Sequence, residues 1–117
     1  MATSDKARYA PGEVIVVPFP YSDQFAEKRR PALVVSNAKV HSQGYVWVVM
    51  ITSALHSRRP NDLEISDLKL AGLSSPSIVR SAKITNVEPS RIIRRAGQLK
   101  PEQADIVFDM VKSFIGR

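Results

Sequence analysis

Residues 45–52 read YVWVVMIT and form the longest run of β-branched, aromatic and other apolar side chains in the chain. A run of this length and composition predicts a β-strand that contributes to the core. Further runs of the same kind, all of them shorter, lie at residues 14–19, 32–36, 63–65, 78–84 and 92–93. The sequence therefore predicts five or six strands.

Turn residues separate these runs. Pro-Gly at residues 11–12, Gln-Gly at residues 43–44 and Pro-Asn-Asp at residues 60–62 supply the fixed or positive φ values that end a strand. Strands at this short spacing, with no helix-length pattern between most of them, predict an antiparallel sheet that curls into a small barrel. A helical turn is expected within residues 68–73.

The C-terminal segment has a different period. Pro101 suits the first position of a helix, and Gly116 can end it. The apolar residues between them recur at three- and four-residue spacing, which predicts an amphipathic α-helix with one face packed on the sheet. The residues of this stripe are Leu99, Ile106, Val107, Met110, Val111, Phe114 and Ile115. The expected fold class is thus α+β, mostly β: a small antiparallel barrel with a C-terminal amphipathic helix.

Composition bounds the class of protein. With 117 residues, 44% of them apolar and 24% charged, the chain has the balance of one soluble globular domain. We expect a flexible segment at residues 1–10 and a single domain at residues 11–117. The absence of cysteine excludes disulfides, thiolate-bound zinc and cysteine nucleophiles, and with only two histidines we expect no metal and no other cofactor. No apolar run approaches the roughly 20 residues that span a bilayer, so we expect a cytoplasmic protein without membrane contact.

The charge balance points to a class of partner. Seventeen lysine and arginine residues outnumber eleven acidic ones, which gives a formal net charge of +6. A domain this basic attracts polyanions, and nucleic acid is the commonest polyanion in a cell. The charge therefore favours a nucleic-acid partner.

Strand order indicates where a functional site lies. If the first three strands form an antiparallel meander, the end of the first (Phe19), the start of the second (Pro31) and the end of the third (Thr52) lie at one edge of the sheet. The loops at residues 20–30 and 53–62 meet there too. The edge thereby gathers hydroxyl, charged and titratable side chains: Asp23, Glu27, Lys28, Arg29, Arg30, Thr52, Ser53, His56, Arg58 and Arg59.

Arginine beside threonine suits phosphate chemistry. A guanidinium group matches phosphate oxygens, and a hydroxyl held against it can orient or share a proton. In RNA the neighbouring 2′-hydroxyl can itself attack the phosphodiester, so the protein must stabilise charge and move protons but needs no metal. Because the pKa of arginine lies above about 12, arginine is a poor base. The conventional base would be a carboxylate, Asp23 or Glu27, or the imidazole of His56.

Short motifs in a fixed order are similar to those of a known family. They are Gly-Glu-Val-Ile at residues 12–15, Val-Pro-Phe at 17–19, RPALVVS at 30–36, Ile-Thr-Ser at 51–53, Gly-Leu at 72–73, Ser-Ile-Val-Arg at 77–80 and the segment 92–99. Each motif alone is weak, whereas the ordered set with its closing helix is specific. Over about residues 11 to 115 the chain resembles the MazF/PemK-like toxins of type II toxin–antitoxin systems.

The resemblance implies an SH3-like barrel, a homodimer, metal-independent endoribonuclease activity that cleaves single-stranded RNA (mRNA) to leave a cyclic phosphate, and inhibition by a cognate antitoxin. Carried over by position, Arg30 matches the family's catalytic arginine before proline, and Thr52 matches its hydroxyl residue at the end of the third strand, with Ser53 beside it. Arg80 resembles an arginine that some members use in or near the cleavage site. Where some members carry an aspartate two residues further on, this chain has Ala82.

Other side chains are expected to bind RNA without taking part in the reaction. Cations that tolerate variation in position suit phosphate contacts: Lys28, Arg29, Arg58, Arg59 and Lys83. Phe19 and Tyr21 are candidates for stacking on a base. His41 falls in the loop at the opposite end of the meander, and we expect it to be exposed to solvent.

Two other functions are compatible with the same residues. A small basic barrel can hold nucleic acid without cutting it, or it can bind an acidic antitoxin peptide. The position of Arg30 and Thr52 at one edge favours the nuclease over the first alternative, because electrostatic binding alone does not require it. The second alternative stays open, since one groove can receive RNA and antitoxin in turn.

Overall fold

Antiparallel strands make up most of the structure, a computed structural model that describes residues 9–20 and 27–117. The strands of this part of the chain are β1 (Glu13–Pro20), β2 (Glu27–Val34), β3 (Val46–Ser53), β4 (Asp62–Glu64), β5 (Ser77–Val87) and β6 (Arg94–Gln98). The α-helices are α1 (Ala38–His41), α2 (Leu68–Ala71) and α3 (Pro101–Phe114), and a 3₁₀ turn spans Pro89–Arg91. Most of the predicted flexible segment, residues 1–8, lies outside the described residues.

One sheet contains all six of these strands, in the order β4-β5-β3-β2-β1-β6. Neighbouring strands are antiparallel, and β1, β2 and β3 lie side by side, so the predicted meander is confirmed. Register shifts between Val14 and Ile15 and between Val49 and Met50 bend and twist the sheet locally. The predicted fold class, α+β and mostly β, is confirmed.

Apolar side chains are buried on both faces of the sheet, which explains why the strands read as nearly continuous apolar runs. Successive residues of a strand point to opposite faces, so Val14 and Ile15 enter different clusters although both are fully buried. The first cluster lies under α3 and contains Val14, Leu33, Val49, Ile51, Ile65, Ala71, Val79, Leu99, Ala104 and Val107. The second contains Ile15, Val17, Ala32, Val34, Val46, Val48, Met50 and Ile92.

The second strand begins earlier than predicted. The sequence predicts a loop at Lys28, Arg29 and Arg30, whereas β2 starts at Glu27. The reason is pairing with β1, which sets Phe19 opposite Lys28 and Val17 opposite Arg30. Because side chains alternate along a strand, Arg29 and Arg30 point to opposite faces of the sheet.

The last predicted strand is displaced. Residues 92–93 are not a strand, because Ile92 follows the 3₁₀ turn and packs into the second cluster. The strand β6 comes next, and its Arg94 and Arg95 pair with Val16 and Ile15 of β1. A charged sequence forms this strand because β6 lies at the edge of the sheet, where the side chains remain exposed.

The C-terminal helix forms where the sequence predicts it, but its buried stripe is narrower. The helix begins at Pro101 and buries Ala104 and Val107 against the sheet. Ile106 is 50% exposed, Phe114 is 44% exposed and Ile115 is 68% exposed, so their predicted packing on the sheet is wrong. Each residue advances about 100° around a helix, so the face centred on Val107 turns its neighbour Ile106 away.

His41 is half-buried at the end of α1, and the prediction that it is exposed is wrong. Its Nε2 lies 2.7 Å from Oγ of Ser36, and that same Oγ accepts a hydrogen bond of 2.9 Å from the backbone N–H of Trp47. The Ser36 hydroxyl can therefore donate its proton to a neutral imidazole. Burial lowers the pKa of His41 below its ordinary 6.5, partly offset by a hydrogen bond to the backbone of Ser36.

This histidine makes stability depend on pH. A group whose folded pKa is lowered contributes stability that is present above the unfolded pKa, near 6.5, and is lost as the pH falls through the folded pKa. We expect the urea midpoint of the wild-type protein to fall between pH 8 and pH 5, and His41→Gln to reduce that fall. His56→Gln, at the only other histidine, is the matched control and should keep the fall. Parallel pH profiles for the wild type and His41→Gln would contradict the assignment.

Candidate active site

A cavity of about 360 Å³ opens at the edge of the sheet where β1 and β3 end. The residues that line it are Phe19, Arg30, Met50, Ile51, Thr52, His56, Ser57, Arg59, Arg80 and Lys83. Four of these side chains are cationic, and the apolar ones form part of the wall. The cavity is thus a positively charged hollow beside a hydroxyl and an imidazole.

Strand register brings the arginine and the threonine together. Ala32 of β2 lies opposite Met50 of β3. Arg30 and Thr52 each lie two residues beyond this last pair, on the same face of their strands as Ala32 and Met50. On the other side of β3, Arg80 of β5 lies opposite Met50. Three neighbouring strands therefore deliver Arg30, Thr52 and Arg80 to one cavity.

Arg80 is held by a carboxylate from the adjacent strand. Its Nη2 lies 2.9 Å from Oδ2 of Asp62, and its Nε donates to Oδ1 at 3.3 Å. The same Nη2 donates to the backbone carbonyl of Ser57 at 2.9 Å. The side chain of Asp62 is 2% exposed, so this ion pair is shielded from water.

The pair shifts the titration of both groups. Burial opposes ionisation of Asp62, but hydrogen bonds from Arg80 and from the backbone of Arg59, together with the charges of Arg80 and Arg58, hold its pKa below the usual 3.8. The hydrogen bond to Asp62 raises the pKa of Arg80 further above its ordinary value, against the effect of burial. Asp62 is consequently a carboxylate, and Arg80 a cation, at physiological pH.

Thr52 is hydrogen-bonded to His56. Its Oγ1 lies 2.8 Å from Nδ1 of the imidazole. The backbone N–H of His56 donates to the carbonyl of Ser53 at 3.1 Å, which folds the chain back so that the imidazole reaches Thr52. The hydroxyl of Ser53 does not line the cavity, and it accepts a hydrogen bond of 3.1 Å from the N–H of Leu55.

The predicted RNA-binding side chains divide into two groups. Phe19, Arg59 and Lys83 line the cavity, and Nζ of Lys83 lies 5.1 Å from the centre of the Phe19 ring, a cation–π contact. Arg58 lies outside the lining and pairs with Glu64 at 3.2 Å on the surface.

Two of the predicted RNA-binding residues, Lys28 and Arg29, do not line this cavity. Lys28 is exposed and does not line it. Arg29 lines a different cavity, of about 310 Å³, on the other face of the sheet, together with Arg94. Asp23, Tyr21 and the side chain of Glu27 lie outside the described residues.

Comparison with known proteins identifies the family. Residues 10–115 match the family described as PemK-like, MazF-like toxin of type II toxin-antitoxin systems. The chain belongs to this family. A sequence comparison with curated proteins gave no match.

Solved structures share the fold of this MazF-like toxin. An assembly described as MazE-MazF (Form-III) from Deinococcus radiodurans is 20% identical, with a TM-score of 0.72 over 92% of this chain and 95% of that one. An endoribonuclease in complex with its cognate antitoxin, from a mycobacterial species, is 14% identical, with a TM-score of 0.67 over 92% and 98%. The Mycobacterium tuberculosis toxin MazF-mt6 is 18% identical, with a TM-score of 0.63 over 85% and 93%. At these identities the likeness is one of fold.

Asp62 is a residue of this site that the sequence did not predict. The sequence indicated only that it belongs to a turn. In the structure Asp62 is the first residue of the short strand β4, and the register of β4 with β5 sets it opposite Arg80. That pairing could not be read from the sequence, because β4 and Arg80 are separated by α2 and the turn that follows it. Asp62 thus supplies a carboxylate to Arg80 in a chain that has Ala82 two residues after that arginine.

The described residues contain neither a candidate metal site nor a candidate membrane-spanning helix. Residues 9–20 and 27–117 contain no group of three or more histidine and acidic side chains placed to hold a metal ion. Within the same ranges, none of the helices combines the length and the apolar character needed to cross a membrane.

Proposed function

We propose that this MazF-like toxin is an endoribonuclease that cleaves single-stranded RNA, with no bound metal, by attack of a 2′-hydroxyl on the adjacent phosphodiester. The observation that carries the proposal is the convergence of Arg30, Thr52 and Arg80 on one cavity. Attack of the 2′-oxygen on phosphorus forms a pentavalent centre with extra negative charge. The bond from phosphorus to the 5′-oxygen then breaks and the 5′-oxygen takes up a proton from the solvent, which leaves a 2′,3′-cyclic phosphate and a 5′-hydroxyl end.

Arg30 and Arg80 act in this proposal on the charge that develops at phosphorus. Fixed cations in a cavity that excludes much of the water stabilise a developing oxyanion more strongly than cations in bulk solvent. The planar guanidinium can also contact two phosphate oxygens at once. The apolar side chains of Met50 and Ile51 form part of the wall beside these cations.

Thr52 and His56 act on the proton. If Nδ1 of His56 carries its hydrogen and donates it to Oγ1 of Thr52, Nε2 is unprotonated and can take the proton of the 2′-hydroxyl. The hydroxyl of Thr52 is then able to donate its own hydrogen to a phosphate oxygen. Among the candidate bases, His56 is supported by this contact, whereas Asp23 and the side chain of Glu27 lie outside the described residues.

Partners follow from the same site. Single-stranded RNA fits a basic cavity in which Arg59 and Lys83 contact phosphates and the Phe19 ring offers a face to a base. The structures similar to this one include a MazE-MazF assembly and an endoribonuclease with its cognate antitoxin. We therefore propose that a cognate antitoxin inhibits this chain, that the toxin is a homodimer, and that it acts in the cytoplasm on mRNA.

The test is direct. Purified protein is incubated with mixed single-stranded RNA in excess chelator, and the fragment ends are analysed. We expect cleavage with 2′,3′-cyclic phosphate and 5′-hydroxyl ends, and little cleavage of a fully double-stranded RNA of the same sequence. Intact RNA would overturn the proposal. Cleavage only after addition of a divalent cation, or fragments with 3′-hydroxyl ends, would replace the mechanism.

Thr52→Ala is expected to lower the single-turnover cleavage rate about 10- to 1,000-fold, because it removes one donor to the phosphate and the partner that orients His56. Thr52→Ser keeps the hydroxyl and is expected to retain most of the activity. Ser53→Ala is the neighbouring control, since the hydroxyl of Ser53 bonds to the backbone outside the cavity. A Thr52→Ala enzyme as fast as the wild type would remove Thr52 from the mechanism.

Arg59→Gln is expected to weaken RNA binding and to reduce the slope of log Kd against log salt concentration by about one. The reason is that Arg59 lines the cavity as an exposed cation. Arg58→Gln removes the same charge from the next residue, but Arg58 lies outside the cavity and is paired with Glu64, so its effect on the slope should be smaller. Equal slopes for both variants would show that the two arginines are equivalent.

A further inference from the structure

Three donors converge on the carboxylate of Asp62. Oδ1 accepts from Nε of Arg80, and Oδ2 accepts from Nη2 of Arg80 at 2.9 Å and from the backbone N–H of Arg59 at 2.8 Å. Both oxygens are thus engaged within the protein, and the side chain is 2% exposed. A carboxylate in this state is poorly placed to take a proton from a substrate, so any effect of Asp62 on the reaction must pass through its partners.

The guanidinium of Arg80 is occupied on one side. Nε and Nη2 are bound to Asp62, and Nη2 also donates to the carbonyl of Ser57. Among the described residues, none accepts a hydrogen bond from Nη1. Because Arg80 lines the cavity, this nitrogen is the part of the guanidinium left for a ligand there.

The same contacts connect Arg80 to the loop that carries the imidazole. Ser57 directly follows His56, and the bond from Nη2 to the Ser57 carbonyl fixes the loop at that point. His56 in turn is hydrogen-bonded to Thr52. One ion pair therefore orders both a cation and a candidate base around the cavity. A side chain fixed before binding loses less conformational entropy when the ligand arrives.

We propose that Asp62 is a positioning residue of this site: it fixes the guanidinium of Arg80 so that Nη1 is directed at the bound phosphodiester, and through Ser57 it holds the loop of His56. The proposal rests on the endoribonuclease function proposed above. A simple structural role would stabilise the pairing of β4 with β5 but leave the chemical step unchanged.

Asp62→Asn is the first test, because it keeps the shape of the side chain and removes its charge. Loss of orientation should lower kcat for single-stranded RNA about 10- to 100-fold, with a much smaller change in KM. Glu64→Gln is the matched control: it removes the same charge from the same strand, at a surface residue whose side chain is 61% exposed. We expect Glu64→Gln to keep the wild-type kcat. Equal kcat values for the two variants would overturn the proposal.

A double-mutant cycle separates positioning from stability. In an Arg80→Ala background, Asp62→Asn should cause no further loss of kcat, since the group that it positions is absent. If the loss of kcat in the double variant equals the product of the losses in the two single variants, the proposal is wrong. Arg80→Lys covers the case in which Asp62→Asn unfolds, because lysine keeps the charge beside Asp62 but lacks the planar set of nitrogens. It should fold and lose kcat at least tenfold, and wild-type kcat in this variant would count against the proposal.

The endoribonuclease function and the positioning role of Asp62 can be contradicted separately. If the wild-type protein leaves single-stranded RNA intact, the endoribonuclease function is wrong and the role of Asp62 falls with it. If the wild type cleaves and Asp62→Asn, shown by thermal unfolding to be folded at the assay temperature, cleaves at the same rate, only the positioning role is wrong.

Discussion

Arg30→Ala is expected to lower the single-turnover rate of RNA cleavage by about a hundredfold or more, to the limit of detection in an ordinary assay. Arg30 and Thr52 lie two residues beyond the last β2–β3 pair and line the same cavity. Removing it takes away a fixed cation from the place where negative charge develops at phosphorus. Loss of one preorganised donor of this kind typically costs two to three orders of magnitude in rate.

Arg29→Ala is the matched control for Arg30. It removes the same charge from the adjacent residue, but Arg29 lines the cavity on the other face of the sheet. At saturating RNA we expect its rate to stay within about threefold of the wild type, since a distant phosphate contact affects binding rather than the chemical step. Far-ultraviolet circular dichroism and thermal unfolding should be the same for both variants. Equal activity of Arg30→Ala and the wild type would remove Arg30 from the reaction and leave the proposed mechanism without its main source of charge stabilisation.

Gly97→Ala is expected to destabilise the protein by about 3 kcal/mol or more. Gly97 in β6 lies against the backbone of α2, and a Cβ built on it would overlap the carbonyl of Leu70 and lie 2.6 Å from the carbonyl carbon of Ala71. Because these neighbours are backbone atoms, they cannot rotate away. Gly72 makes the reciprocal contact with the carbonyl of Ala96, in a left-handed conformation with φ of +76° that ends α2.

Alanine substitutions at two other glycines distinguish the effect of steric overlap from that of backbone strain. Gly44 has φ of +94° and open space around its Cα, so Gly44→Ala should cost only the left-handed strain, about 1–2 kcal/mol. Gly116 has open space and no such φ, so Gly116→Ala should stay within about 0.5 kcal/mol. Thermal unfolding should give the order Gly97→Ala, Gly44→Ala, Gly116→Ala, with a fall in Tm of about 10 °C for the first. A Gly97→Ala protein as stable as Gly44→Ala would show that α2 and β6 can separate freely.

Local patterns in the sequence were enough to locate the cavity. The apolar runs define β1, β2 and β3, and short connections make consecutive strands neighbours, so one edge of the sheet had to collect Phe19, Arg30 and Thr52. This expectation depends only on the direction of the strands and not on their register. The earlier start of β2 therefore does not change it. The cationic loops at that edge were visible for the same reason.

The sequence did not predict to which face of the sheet each side chain at this edge points. Lys28, Arg29 and Arg30 read as one basic group, yet the pairing of β2 with β1 turns Arg30 to the cavity and Arg29 to the other face. A shift of one residue in register would exchange them. Register depends on which set of apolar side chains is buried, and this is fixed by the packing of all the strands of the sheet together.

The sequence by itself determined that this chain forms a basic, mostly β domain with an arginine and a threonine at one edge of a meander, because strand propensity, turn residues and charge act over a few neighbouring residues. Only the tertiary structure decided that Asp62 pairs with Arg80, that His56 reaches Thr52 and that Gly97 lies against α2. Asp62 and Arg80 are 18 residues apart, and Gly97 and Leu70 are farther still. Asp62 reaches Arg80 because β4 pairs with β5, and Gly97 lies against Leu70 because α2 packs on β6. His56 reaches Thr52 because the chain turns back after β3.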